Sequence, residues 1–163
     1  DGGYHVPVLH PALRADLNLE SYSTKLYEGF SIQSSQGHGE RIGEGASYAF
    51  VYPNIMFNRY GGILDVNVVL PIAPNRCKVL FDYYAEAEVS PAFVAESMKK
   101  SRLVQEEDAA ICASVQKGLQ STFYERGPYA PRLEMAEHHF HRMLQADYRA
   151  ALDRIASSTA SSP

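Results

Sequence analysis

Leu64-Asp65-Val66-Asn67-Val68-Val69-Leu70 alternates side-chain character with a period of two, and after a turn over Pro71–Arg76 it is answered by Cys77-Lys78-Val79-Leu80-Phe81-Asp82-Tyr83-Tyr84. Leu64, Val66, Val68 and Leu70 fall on one side of an extended chain, the pattern of a half-buried strand. In the answering segment Cys77, Val79, Phe81 and Tyr83 share a face. Two such runs joined by a Pro- and Asn-containing turn predict an antiparallel hairpin.

Upstream of the hairpin more strand signals follow one another. Lys25–Ser34 reads as one strand, leading into a Gly-rich loop at Gly37-His38-Gly39, and Ser47–Tyr52 and Asn54–Arg59 read as two strands, or one bent at Pro53. Downstream the character changes at Ser90-Pro91, a capping residue followed by a proline suited to the first helical position. Val104, Asp108, Ile111, Cys112, Val115 and Leu119 recur at spacings of three and four, predicting a helical region to about Gln120, with a break near Ser101 and an exit at Gly118 or Gly127-Pro128. A last helix is expected over about Glu134–Ile155. Strands followed by helices, with hairpin connections, indicate an α+β fold with an antiparallel sheet. Residues 1–155 read as one domain and 156–163 as a frayed tail.

Composition sets outer limits. The 163 residues, 45% hydrophobic and 21% charged, suit one globular domain. A formal net charge of −4 argues against nucleic acid as a partner, and no apolar run approaches the ~20 residues that span a bilayer. Two cysteines, Cys77 and Cys112, make a disulfide scaffold and an internal iron–sulfur cluster equally untenable. The opening Asp1 is no initiator methionine, which suggests a processed or incomplete product.

The chemistry-bearing residues lie at the two ends of this pattern. His5 and His10 sit in an N-terminal stretch, residues 1–19, that reads as a short helix broken near Pro7 and Pro11. Ideal helix geometry would turn the two imidazoles roughly 140° apart, so sharing one ion requires a kink or an end between them. Asp108 lies on the apolar stripe of the long helix, where a carboxylate must be paired, hydrogen-bonded or metal-bound. Two imidazoles and one carboxylate are the facial set of non-haem Fe(II) oxygenases, which leaves positions open for dioxygen and substrate. Glu107 beside Asp108 could equally be the ligand. The plain alternatives are surface or capping histidines, and an ion pair from either carboxylate to Arg59 or Arg102. A rival cluster, His138-His139-Phe140-His141, places His138 and His141 three apart as zinc ligands of a hydrolase can be.

Seven Phe and eleven Tyr with no Trp supply aromatic surface, much of it on strands: Phe50, Tyr52, Phe57, Tyr60, Phe81 and Tyr83. Most should be core. Some could instead line a cavity and hold a cation over their rings, and Tyr52, Phe57 and Tyr60 are the candidates for substrate contact, with Glu107 compensating charge.

Gly3-Tyr4-His5-Val6-Pro7 with His10, Phe50-Val51-Tyr52-Pro53-Asn54 with Asn58-Arg59-Tyr60, Val104–Asp108, Ser114–Ser121 and Glu137–His141 together resemble Rieske-type non-haem iron oxygenases, the branch acting on choline and other quaternary amines above all. The resemblance runs from Asp1 to about Leu152. It implies the catalytic domain of an alpha subunit with a helix-grip, START-like fold, truncated at its N-terminus, in which His5, His10 and Asp108 hold one Fe(II). It further implies a Rieske [2Fe-2S] domain, missing from these residues, fed by a reductase or ferredoxin, and a ring assembly, commonly a trimer. The implied reaction is O2-dependent monooxygenation of a small quaternary ammonium substrate, choline to betaine aldehyde, in the cytoplasm or plastid stroma. An aromatic-ring-hydroxylating dioxygenase domain and a ligand-binding module without redox chemistry are the alternatives. One departure stands out: many relatives carry an acidic residue three positions before the first ligand histidine, where this chain has Gly2.

Overall fold

The computed structural model describes residues 5–37 and 41–160. Six strands form one sheet in chain order, every neighbouring pair antiparallel: β1 (Ser23–Tyr27), β2 (Phe30–Gln36), β3 (Gly45–Val51), β4 (Ile55–Tyr60), β5 (Ile63–Ala73) and β6 (Arg76–Ala85). Two short helices, α1 (His5–Leu9) and α2 (Pro11–Asp16), precede it, and two long ones, α3 (Pro91–Leu119) and α4 (Met135–Ala160), follow. The α+β class with an antiparallel sheet holds.

The hairpin expected over residues 64–84 is β5–β6, with Asp65 opposite Tyr83 and Asn67 opposite Phe81. Its facing is the reverse of the apolar rule. Ile63, Asp65 and Asn67 are the buried side, while Leu64, Val66 and Val68 are only half-buried. Asp65 and Asn67 are tolerated inside because they bond each other and because a buried polar layer awaits them. Arg41 Nη2 donates to Ser101 Oγ at 2.9 Å, Tyr60 Oη lies 2.9 Å from the same oxygen, and the Arg41 guanidinium sits 4.8 Å above the Tyr60 ring. Burial pushes the Asp65 carboxyl above its ordinary pKa, while hydrogen bonds from Asn67 and Asn58 and the Arg41 charge pull the other way.

Other elements depart from expectation for local reasons. Lys25–Ser34 is two strands, because Gly29 takes φ +78 and reverses the chain between Tyr27 and Phe30. The long helix does not break at Ser101; Ser97 and Ser101 are its two buried residues, small enough to bring α3 close to the polar layer. Ser90 caps α3 by accepting from Phe93 N at 3.2 Å, and Pro91 stands in its first turn, as the sequence indicates. The C-terminal part of the expected apolar stripe is open, with Val115 and Leu119 about half exposed. The last helix runs on to Ala160, past the boundary expected at residue 155. His38 and Gly39 of the Gly-rich loop lie outside the described residues.

The core is small: Val6, Leu17, Ile42, Ala46, Tyr60 and Ile63, with Leu13, Tyr48 and Phe93 packed on it. Gly61 closes the β4–β5 turn beside this core with φ +51, and a Cβ there would meet the Arg41 carbonyl oxygen at 2.0 Å. Gly61→Ala should therefore cost about 2–4 kcal/mol through left-handed strain and overlap together. A thermal unfolding midpoint lowered by roughly 5–10 °C is the expected reading; an unchanged midpoint would mean the turn can relax away from Arg41.

Candidate metal centre

His10 is the joint between α1 and α2. Pro11 opens α2, and the residue before a proline is pushed out of helical geometry; His10 accordingly takes φ −121, ψ 69. Pro7 stays inside α1, so the break falls later than its position suggested. Leaving the helix at His10 removes the angular separation of the two imidazoles. Their Nε2 atoms stand 2.9 Å apart, with the rings tilted by 67°.

From the middle of α3, Asp108 reaches both. Its Oδ1 lies 3.0 Å from His5 Nε2 and 3.1 Å from His10 Nε2. Adjacent Glu107 contacts the other side of the His10 ring, with Oε2 2.7 Å from Nδ1. A carboxylate only accepts, so Glu107 suits a proton on His10 Nδ1, the tautomer that would leave Nε2 free to hold a metal. His10 is 2% exposed. At Asp108 burial works to raise the pKa, but hydrogen bonding and charge from His5 and His10 outweigh it, and the carboxyl sits below its ordinary value. It is thus held in the ionised form that a metal ligand requires.

The three atoms make a nearly equilateral triangle, and among the described residues this is the one group of three or more His, Cys, Asp or Glu side chains able to hold a metal ion. Bonds of about 2.1 Å drawn from its corners meet at about 90°, the angle of one octahedral face. A tetrahedral ion would want corners about 3.4 Å apart. The set therefore fits a six-coordinate ion with three positions open better than a closed zinc site.

His5, His10 and Asp108 also border a cavity of about 450 Å³. Its walls come from α1 and α2 (Val6, Leu13), the sheet (Ser31, Gln33, Tyr48, Phe50, Met56, Asn58), α3 (Val104) and α4 (Glu137, Phe140, His141). Burial pushes the Tyr48 phenol up to about 12, against the pull of Arg41, so it stays protonated and can donate. Phe50 and Phe140 meet edge to face at 5.3 Å.

Of the aromatic candidates, none of Tyr52, Phe57 and Tyr60 borders this cavity. Tyr52 hydrogen-bonds Asp147 at 2.6 Å, which holds its pKa up at about 12. Phe57 points to the other face of the sheet and is 39% exposed; Tyr60 faces Ser101 in the buried polar layer. Tyr48, Asn58 and Phe140 take the places expected of them. The signal was parity: on β4 the cavity side is Met56 and Asn58, so Phe57 cannot share it. The plain ion-pair alternatives fall away as well, since Arg59 pairs with Glu86 and Arg102 with Glu106. The rival histidines are engaged elsewhere: His141 Nδ1 with the Tyr129 hydroxyl, His139 with the Tyr27 carbonyl oxygen, and His138 against the Tyr129 ring.

Comparison with known proteins places the chain in a family. A chloroplastic choline monooxygenase of Arabidopsis thaliana is 47% identical over 153 residues, covering 88% of this chain and 36% of that protein. The chloroplastic choline monooxygenase of Spinacia oleracea is 35% identical, covering 89% and 35%. The chain thus spans about a third of the length of the curated relatives it matches. Among solved structures, a quaternary ammonium Rieske monooxygenase studied for carnitine oxidation by gut microbiota superimposes with a TM-score of 0.74 at 20% identity, covering 86% of this chain and 43% of that one. A quaternary ammonium Rieske monooxygenase bound to L-carnitine gives 0.69. These two establish likeness of fold. Residues 32–150 match the family described as ring hydroxylating alpha subunit (catalytic domain), and it is to this family that the chain belongs.

Proposed function

We propose that the chain is the mononuclear-iron catalytic portion of a Rieske-type oxygenase that oxidises a small quaternary ammonium compound of the choline kind to its aldehyde. The observation that carries this reading is the triangle of His5 Nε2, His10 Nε2 and Asp108 Oδ1 opening onto an aromatic-walled cavity. Its similarity to choline monooxygenases supports the substrate class. Activation of dioxygen is the chemistry that ferrous iron supplies when held by such a set. In the overall reaction one oxygen atom enters a substrate C–H bond and the other leaves as water, with two electrons and two protons arriving from outside.

The chain's own residues do the rest. Glu107 fixes the His10 tautomer, a contact that in metal sites typically strengthens binding. Tyr22, Tyr48, Phe50 and Phe140 line the cavity, an aromatic wall suited to a trimethylammonium head at ~0.5–2 kcal/mol for each good cation–π contact. Glu137 adds a carboxylate to the same wall. Electrons would come from a Rieske [2Fe-2S] domain served by ferredoxin or a reductase, in a homo-oligomer, a trimer by family precedent. The helix-grip, START-like description of the fold, the domain extent of 1–155, and a plastid-stromal or cytoplasmic location belong to the same proposal. Among the described residues no helix is long and apolar enough to cross a membrane.

Anaerobic titration of the protein should find about one Fe(II) per chain, and choline should bind once per chain. Iron uptake without binding of any quaternary ammonium ion would overturn the substrate half of the proposal, and failure of both would overturn all of it.

A further inference from the structure

The wall of the cavity is polarised by a buried relay on two neighbouring strands. Asn58 on β4 lies directly across from Asp65 on β5, and Asn67, two residues on, shares their face. Asp65 and Asn67 are each 4% exposed, whereas Asn58 reaches the cavity. A carboxylate can only accept hydrogen bonds. Asn67 therefore turns its amide NH2 to Asp65, and Nδ2 donates to Oδ1. That orientation turns the Asn67 carbonyl oxygen toward β4, where it accepts from Asn58 Nδ2 at 2.9 Å. Asn58 also faces the Asp65 carboxyl, another acceptor, so its amide NH2 end is the one turned to the sheet. The amide oxygen is what Asn58 has left for the cavity.

We propose that Asn58 Oδ1 is a specificity-determining acceptor that reads a hydroxyl hydrogen on the substrate, with Asn67 and Asp65 as its positioning residues. The inference rests on the reading of the cavity as a quaternary ammonium site. A quaternary nitrogen carries four carbons and no hydrogen, so a donor to Asn58 must come from elsewhere on the molecule. A hydroxyl supplies one. A carboxylate supplies none, and would face an acceptor. The wall thus selects an alcohol-bearing trimethylammonium ion over an acid-bearing one.

Isothermal titration of the intact protein with choline and with n-propyltrimethylammonium, in which a methyl replaces the hydroxyl, tests this. The unaltered protein should prefer choline by about tenfold, the worth of one buried neutral hydrogen bond. Asn58→Leu should bring choline down to the affinity of the propyl ion. Asp65→Asn preserves shape but removes the acceptor-only end of the relay, letting the amides reverse. It should erase the preference too, and it serves if Asn58→Leu does not fold. A preference that persists in a folded variant, or an Asn58→Leu that weakens both ligands by one factor, would overturn the assignment. Equal binding of the two ions by the unaltered protein sinks the hydroxyl assignment alone. Binding of neither sinks the quaternary ammonium reading, and this inference with it.

Discussion

Asp108→Ala should abolish stoichiometric Fe(II) binding by the protein while leaving it folded. Asp108 contributes the one anionic corner of the triangle, and removing it leaves only the two imidazoles, their Nε2 atoms 2.9 Å apart. Nothing among the described residues replaces it, because Glu107 is turned to the far side of the His10 ring. Glu107→Gln makes the graded comparison. An amide can still accept from His10 Nδ1–H, though more weakly, and a loss of about 10–100-fold in iron affinity is the expectation for such an outer contact. Anaerobic titration with metal analysis separates the two. Equal retention of iron in both variants would mean that the ion is held elsewhere. The fold should tolerate Asp108→Ala because the side chain is a third exposed and meets no core residue.

Arg41→Met should be among the most destabilising single changes in the chain, at about 3 kcal/mol. Arg41 is 8% exposed, donates to Ser101, lies over the Tyr60 ring and supplies the positive charge that lowers the pKa of buried Asp65. Methionine fills the space and does none of this. The pH dependence identifies which loss matters. The folded pKa of Asp65 lies above its ordinary value of 3.8, so its ionised form is the one the fold disfavours. Its contribution is fully favourable below the unfolded pKa and is lost as pH rises through the folded pKa. Without Arg41 that folded pKa climbs further. The Arg41→Met deficit should therefore be greatest at neutral pH and shrink as pH falls toward about 4. Asp65→Asn in the same background should recover part of the lost stability. Chemical denaturation across that range measures it, and a deficit independent of pH would remove Asp65 from the account.

That same buried layer explains which parts of the structure could be read in advance. Alternation along Leu64–Leu70 announces a strand whatever its environment, because the period belongs to the backbone. Which side faces inward is a separate matter, decided here by Arg41, Tyr60 and Ser101, which come from three other segments. The aromatic candidates lie off the cavity for two reasons: Phe57 has the wrong parity, while Tyr60 shares the face of Met56 and Asn58 but stands at the strand's end, against Ser101 in the buried layer. Gly29 was visible and its turn was missed, since Lys25–Ser34 carries no other break. By contrast His5, His10 and Asp108 were legible because their chemistry is rare. A carboxylate on an apolar stripe and two histidines with Pro7 between them and Pro11 just after ask for a common partner, whichever way the sheet faces. Glu107 was visible beside Asp108, yet only coordinates could set Asp108 Oδ1 against both Nε2 atoms and Glu107 on the far side of the His10 ring.

His5 and His10 stand 103 and 98 positions from Asp108 along the chain, with the entire sheet strung between them. An ion shared by all three would tie the ends of that span into a closed circuit, at an entropic cost that grows only slowly with its length. The first two helices are seated in the core through Val6 and Leu13, which also wall the chamber. Chelation would add a second fastening to that side of the room in which the reaction would take place.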